Sequence, residues 1–143
     1  MKSVFISRAF LFIMMCVCLY ACQTKSTGVV PSSPASVGGK GGLATMYITM
    51  DHDTINVDSG MVYMKYNAVV KPTDDKYDDS ARVVMVKGTP VAIFTELKAG
   101  NYFLYGKGWD IIRSKTVVGT RPYTIDASAS SGLSQLILLV TAQ

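Results

Sequence analysis

Beyond residue 42 the chain alternates hydrophobic and polar positions with a period of two, the signature of half-buried β-strands. The first such run is 43–50 (LATMYITM), followed by 61–71 (MVYMKYNAVVK) and 81–87 (ARVVMVK). The third closes on Gly88-Thr89-Pro90, and 91–97 (VAIFTEL) then leads into a tight turn at 98–101, Lys-Ala-Gly-Asn. A fifth strand starts at 102–105, a sixth covers 111–118 and ends at Gly119, and a short one follows at 121–125. The last run, 133–141 (LSQLILLVT), is almost continuously apolar, which predicts burial on both faces or a central place in a sheet. No stretch of this region keeps a helical period beyond two turns. Seven or eight short strands with turn residues between them predict an all-β fold, a seven- or eight-stranded antiparallel β-sandwich.

The first 42 residues follow other rules. Residues 9–20 form an apolar run of about a dozen, preceded by Lys2 and Arg8. That is the length of a signal-peptide core and short for a membrane-spanning helix, although an uncleaved N-terminal helix is the competing reading. Residues 23–42 (QTKSTGVVPSSPASVGGKGG) are rich in Ser, Gly and Pro and nearly free of large apolar side chains. Such a composition cannot bury enough surface to offset its ordering entropy, so the sequence predicts a flexible tether reaching roughly 25 Å.

Leu19-Tyr20-Ala21-Cys22 resembles the lipobox of bacterial lipoproteins. The resemblance implies a signal peptide at 1–21, a lipid-modified Cys22 opening a linker at 22–42, and a β-sandwich domain at 43–143. In that family the cysteine sulfur carries a diacylglycerol and the new amine is acylated. The protein is then held in the cell envelope, its membrane partner reached through the lipid. Gln23 and Thr24 follow where an aspartate would retain a lipoprotein of the enteric type, which implies the outer membrane of a Gram-negative bacterium. Cleavage removes Cys16 and Cys18, so the domain has no disulfide to rely on. It also removes Lys2 and Arg8, leaving 12 basic residues against 10 acidic ones. A balance of about +2 gives no electrostatic reason for a nucleic-acid partner.

Residues 91–110 read VAIFTELKAGNYFLYGKGWD, with Phe94, Leu97, Gly100 and Tyr102 spaced as in one hairpin. This resembles the hairpin of transthyretin-like modules, which include the carboxypeptidase regulatory-like domains. Val62-Tyr63-Met64-Lys65-Tyr66-Asn67 is similar to the second strand of those modules. The opening strand departs from them, since Met46-Tyr47-Ile48-Thr49-Met50 and an acidic loop stand in its place. The resemblance implies a structural or binding module, and a fold by itself assigns no chemistry.

Candidate chemistry is sparse. Asp74, Asp75, Asp78 and Asp79 lie within six residues and present the clustered oxygens that calcium favours, but without the spacing of an EF-hand. The alternative is a solvated loop guarding a sheet edge. His52, the single histidine, stands between Asp51 and Asp53, where a carboxylate could orient it. The same residues, with Asn56 and Asp58, are turn formers. There is no G-x-S-x-G elbow, and Gly38-Gly39-Lys40-Gly41-Gly42 lacks the strand and helix of a phosphate loop. Seven tyrosines and one tryptophan between 43 and 143 are many for such a domain. Trp109 and Tyr105 are the candidate ligand-binding pair, a flat surface for a sugar or a peptide. The sequence therefore points to a non-catalytic binding or structural accessory without a cofactor beyond its lipid, its partner an envelope protein or a glycan. Carbohydrate binding through the aromatics is one alternative, and a calcium-stabilised module or metal-dependent enzyme built on the acidic loop is another.

Overall fold

The structure, a computed structural model, describes residues 37–143. Ten strands form two sheets: β1 (Lys40–His52), β2 (Ile55–Asn56), β3 (Gly60–Tyr66), β4 (Asp79–Arg82), β5 (Val84–Val86), β6 (Thr89–Leu97), β7 (Gly100–Asp110), β8 (Lys115–Ile125), β9 (Leu133–Leu139) and β10 (Thr141–Ala142). The first sheet runs β5-β6-β1-β9, with β2 extending beside the far end of β1. The second runs β10-β8-β7-β3-β4. Every pairing is antiparallel except that of β9 with β1, which is parallel from Thr45↔Leu133 to Asp51↔Leu139. The segment between β8 and β9, which holds a short 3-10 turn at Ala127–Ala129, carries the chain from the second sheet to the first.

Alternation in sequence becomes alternation in burial. In β1, Ala44, Met46, Ile48, Met50 and His52 point inward and are buried, while Thr45, Tyr47, Thr49 and Asp51 are half-buried on the outer face. Phe94 and Leu97 of β6, Val62 and Met64 of β3, and Tyr102 and Leu104 of β7 meet them in one core between the sheets. Each fully buried side chain of this size contributes roughly 1.5–3 kcal/mol.

Both edges are closed by a strand that changes sheet. β4 pairs with β3 in the second sheet and β5 with β6 in the first, with Val83 between them. β9 pairs with β1 in the first sheet and β10 with β8 in the second, with Val140 between them. Both valines are buried in the core. Each also keeps its amide bonded to the sheet it is leaving, Val83 to the Gly60 carbonyl at 3.0 Å and Val140 to that of Asp51 at 2.9 Å. Crossings of this kind shorten the exposed ladder that would otherwise recruit other chains.

Several sequence expectations are corrected by these contacts. Among the described residues there are ten strands rather than seven or eight: the run 81–87 is two strands joined at Val83, the run 133–141 is two joined at Val140, and the short β2 is additional, while the two runs expected between 111 and 125 form the single strand β8. Strand β1 begins at Lys40, inside the expected linker; residues 22–36 of that linker, Cys22 among them, and the signal peptide lie outside the described residues. The run 61–71 stops at Tyr66, because Asn67 takes a φ of 57° and spends its side chain on Gly38. Ile111 and Ile112 lie in an exposed turn, and 115–125 is one continuous strand. Gly119 does not end that strand. A side chain there would collide with the Leu139 carbonyl where β9 crosses over. Pro122 is tolerated because β8 alternates: the Thr116 carbonyl faces β10, so the missing N–H of Pro122 faces that same outer edge. The last run is neither central nor buried on both faces. It is an edge strand whose Leu136 and Leu138 are buried while Leu133, Ile137 and Leu139 are exposed.

The β6–β7 hairpin turns at Lys98 and Ala99. Gly100 then takes a φ of 146°, a region that side chains with a β-carbon rarely enter. Replacing Gly100 with valine should cost on the order of 1–3 kcal/mol in equilibrium urea unfolding. An unchanged midpoint would show that the turn relaxes freely.

Candidate functional site

Strand β7 presents Tyr105, Lys107 and Trp109 on the outer face of the second sheet, since Tyr102 and Leu104 on the opposite parity fill the core. Trp109 is 46% exposed yet sits on regular strand: its amide bonds to the Ser59 carbonyl at 3.1 Å, and Ser59 Oγ donates to the Trp109 carbonyl at 3.3 Å. Beside the indole lies an open trough of about 260 Å³, walled by Ser59, Met61, Tyr63, Lys107 and Thr116. Thr116 is the cross-strand neighbour of Trp109 on β8, and Tyr63 comes from β3.

Tyr105 is placed differently from Trp109. Its ring stacks on Tyr63 at 5.9 Å between centroids and on Tyr77 at 5.8 Å, while Tyr63 and Tyr77 lie 5.5 Å apart. Lys71 Nζ stands 5.9 Å from the Tyr105 centroid. Thus the loop between β3 and β4 closes over this ring with Tyr77 and Lys71, and the Tyr77 hydroxyl is buried without a partner. Burial pushes the Tyr77 phenol above its ordinary pKa. Trp109 and Tyr105 share a strand face but do not form one platform. Tyr63, Lys107 and Thr116 complete the trough and were not singled out from the sequence. The usable signal was parity, since 105, 107 and 109 must all oppose Tyr102 and Leu104.

The acidic loop spends its carboxylates internally. Asp75 pairs with Lys71 at 2.8 Å, and Asp74 lies 3.9 Å from Lys76. Asp78 accepts from Lys65 at 3.0 Å and from the Tyr66 amide at 2.7 Å, contacts that hold its pKa down against the opposing effect of burial. Asp79 pairs with Lys40 at 2.8 Å and accepts from the Tyr66 hydroxyl at 3.3 Å. Burial, with Asp79 adding to it, pushes the Tyr66 phenol up to about 12. Among the described residues no three His, Cys, Asp or Glu side chains are grouped to hold a metal ion.

His52 is not a turn residue. It ends β1, is 5% exposed, and its Nδ1 lies 2.6 Å from Asp110 Oδ2 at the end of β7. Asp110, 3% exposed, also accepts from the amides of Ile112 (2.9 Å) and Arg113 (3.0 Å) and from Arg113 Nη1 (3.0 Å). The His52 imidazole, then the Arg113 amide, hold the Asp110 carboxyl well below the usual carboxylate range. His52 Nε2 faces Asp53 at 3.8 Å. The arrangement is a latch between the two sheets, and its carboxylate is already saturated with donors.

The first sheet carries a further open groove of about 740 Å³ on its outer face, between the β5–β6 hairpin and strands β1 and β9. Its lining mixes polar side chains and the charged Lys87 with aliphatic ones and holds no exposed ring comparable to Trp109.

Comparisons with protein-family models, with curated proteins and with solved structures find no match to this chain. Among the described residues no helix is long and apolar enough to cross a membrane.

Proposed function

We propose that the chain is a lipid-anchored envelope protein whose β-sandwich, of transthyretin-like type, is a non-catalytic binding module, and that it holds a carbohydrate against Trp109. The anchor rests on Leu19-Tyr20-Ala21-Cys22 and the polar segment after it. The fold type rests on the hairpin, where Phe94, Leu97 and Tyr102 fill the core around the turn at Gly100. The observation that carries the ligand is the exposed indole of Trp109, fixed on a hydrogen-bonded strand above a polar-rimmed trough. A half-exposed aromatic plane offers a flat apolar surface, while the neighbouring hydroxyls of Ser59 and Thr116 supply hydrogen bonds. An anchor and a tether would deliver this face to glycans at the cell surface.

Two measurements test the reading. Cys22→Ala should leave an unprocessed or soluble product that takes up no radiolabelled fatty acid, whereas a labelled, membrane-bound variant would place the anchor elsewhere. Trp109→Ala should lower stability by no more than about 1.5 kcal/mol, against the roughly 3–5 kcal/mol of a fully buried tryptophan, while retention on immobilised glycans falls sharply. Undiminished retention would remove Trp109 from the site.

A further inference from the structure

Lys107 gives the trough a charge that stacking on Trp109 does not use. It stands two residues from Trp109 on the same outward face, about 7 Å along the strand, and both side chains line the trough. No carboxylate lines it. The neighbouring lysines of this face are neutralised, Lys65 by Asp78 and Lys71 by Asp75. Lys107 has no ion pair among the described residues. Val118, its cross-strand neighbour on β8, and Met61, its neighbour on β3, are apolar and offer it no counter-charge.

A pyranose ring laid on an indole plane projects its ring substituents past the edge of the aromatic system. An ammonium within reach of that edge discriminates between substituents, because a charge-assisted hydrogen bond to a carboxylate is about twice as strong as a neutral one. Because the trough is open and Lys107 is exposed, added salt screens such a pair. We propose that the ligand of this site is an acidic saccharide, a sugar bearing a carboxylate that Lys107 meets while its ring stacks on Trp109. This inference rests on the carbohydrate reading above and narrows it to one class of sugar.

Trp109 is the single tryptophan of the chain, so fluorescence excited selectively at tryptophan, beyond the absorption of the tyrosines, reports on this trough alone. The full chain is titrated with an oligogalacturonide and, in parallel, with its methyl ester, which keeps the backbone and removes the charge. The acid is expected to bind roughly three- to tenfold more tightly than the ester, with the preference shrinking as salt is added. Lys107→Gln should erase the preference while leaving ester binding in place, and Lys107→Arg should keep it. Equal binding of acid and ester to the unaltered chain overturns the proposal and leaves the carbohydrate reading standing. A Trp109 signal that neither sugar perturbs overturns both. Retention of the preference in Lys107→Gln overturns the role of Lys107.

Discussion

Leu97→Ala should destabilise the domain by about 2–5 kcal/mol, read from the midpoint of urea unfolding at unchanged slope. Leu97 is fully buried at the end of β6 and belongs to the core between the sheets. It also faces both Lys40 and Ala44 across a register shift in β1, so its backbone spans an irregular part of the ladder. The neighbourhood has little room to collapse. Tyr102, fully buried nearby, is pinned by its hydroxyl, which donates to the Lys98 carbonyl at 2.6 Å and accepts from the Gly39 amide at 2.9 Å. A side chain held at its far end cannot swing into a vacated volume, and a cavity that persists costs more than the transfer of the lost methyl groups alone. A loss below about 1 kcal/mol would mean that the hairpin repacks, and the assignment of Phe94, Leu97, Gly100 and Tyr102 as one structural unit would fail with it.

What could be read from the sequence is what local periodicity encodes. Strand β1 alternates because one of its faces is the core, and 43–50 announced that face residue by residue. The two sheet crossings gave no such signal. A valine in an apolar run looks the same whether the strand continues or changes partner, and only the core around Val83 and Val140 distinguishes the cases. Gly119 looked like a strand end because glycine usually breaks a ladder; its real cause is the backbone of Leu139, twenty residues away in sequence. The apolar run at 133–141 hides its edge position for a similar reason. Exposed Leu133, Ile137 and Leu139 carry no mark of the face they occupy. Within the site, Trp109 and Tyr105 were visible as aromatics. The closing of Tyr105 by Tyr77 depends on how a loop folds back, and the place of Tyr63 beside the trough on the pairing of β3 with β7, neither of which composition specifies.

Asp110→Asn should destabilise the domain more than neutralising any carboxylate of the acidic loop, and the effect should depend on pH in a defined direction. His52 and Asp110 are separated by 58 residues and end strands of different sheets, so their contact ties the sandwich together at one end. The asparagine keeps the shape and still accepts the amides of Ile112 and Arg113. What it loses is the oxygen that meets His52 Nδ1 and the charge that faces the Arg113 guanidinium, with only Asp53, 3.7 Å from Arg113 and largely exposed, left to balance that cation. Breaking one side of a buried pair leaves the other side unsolvated and unpaired, which is why the loss exceeds the net worth of the pair. The carboxyl of Asp110 is held below its ordinary pKa in the fold, so the folded state binds its proton less readily than the unfolded chain does. Its contribution is therefore complete above the ordinary carboxylate pKa and is lost as pH falls below about 4 toward the folded value. Urea unfolding of both proteins from neutral pH downward should show a gap that is widest at neutral pH and narrows in acid, as the unaltered protein gives up what the variant never had. Two curves that stay parallel across that window would mean that Asp110 is not the group whose ionisation holds this end of the sandwich closed.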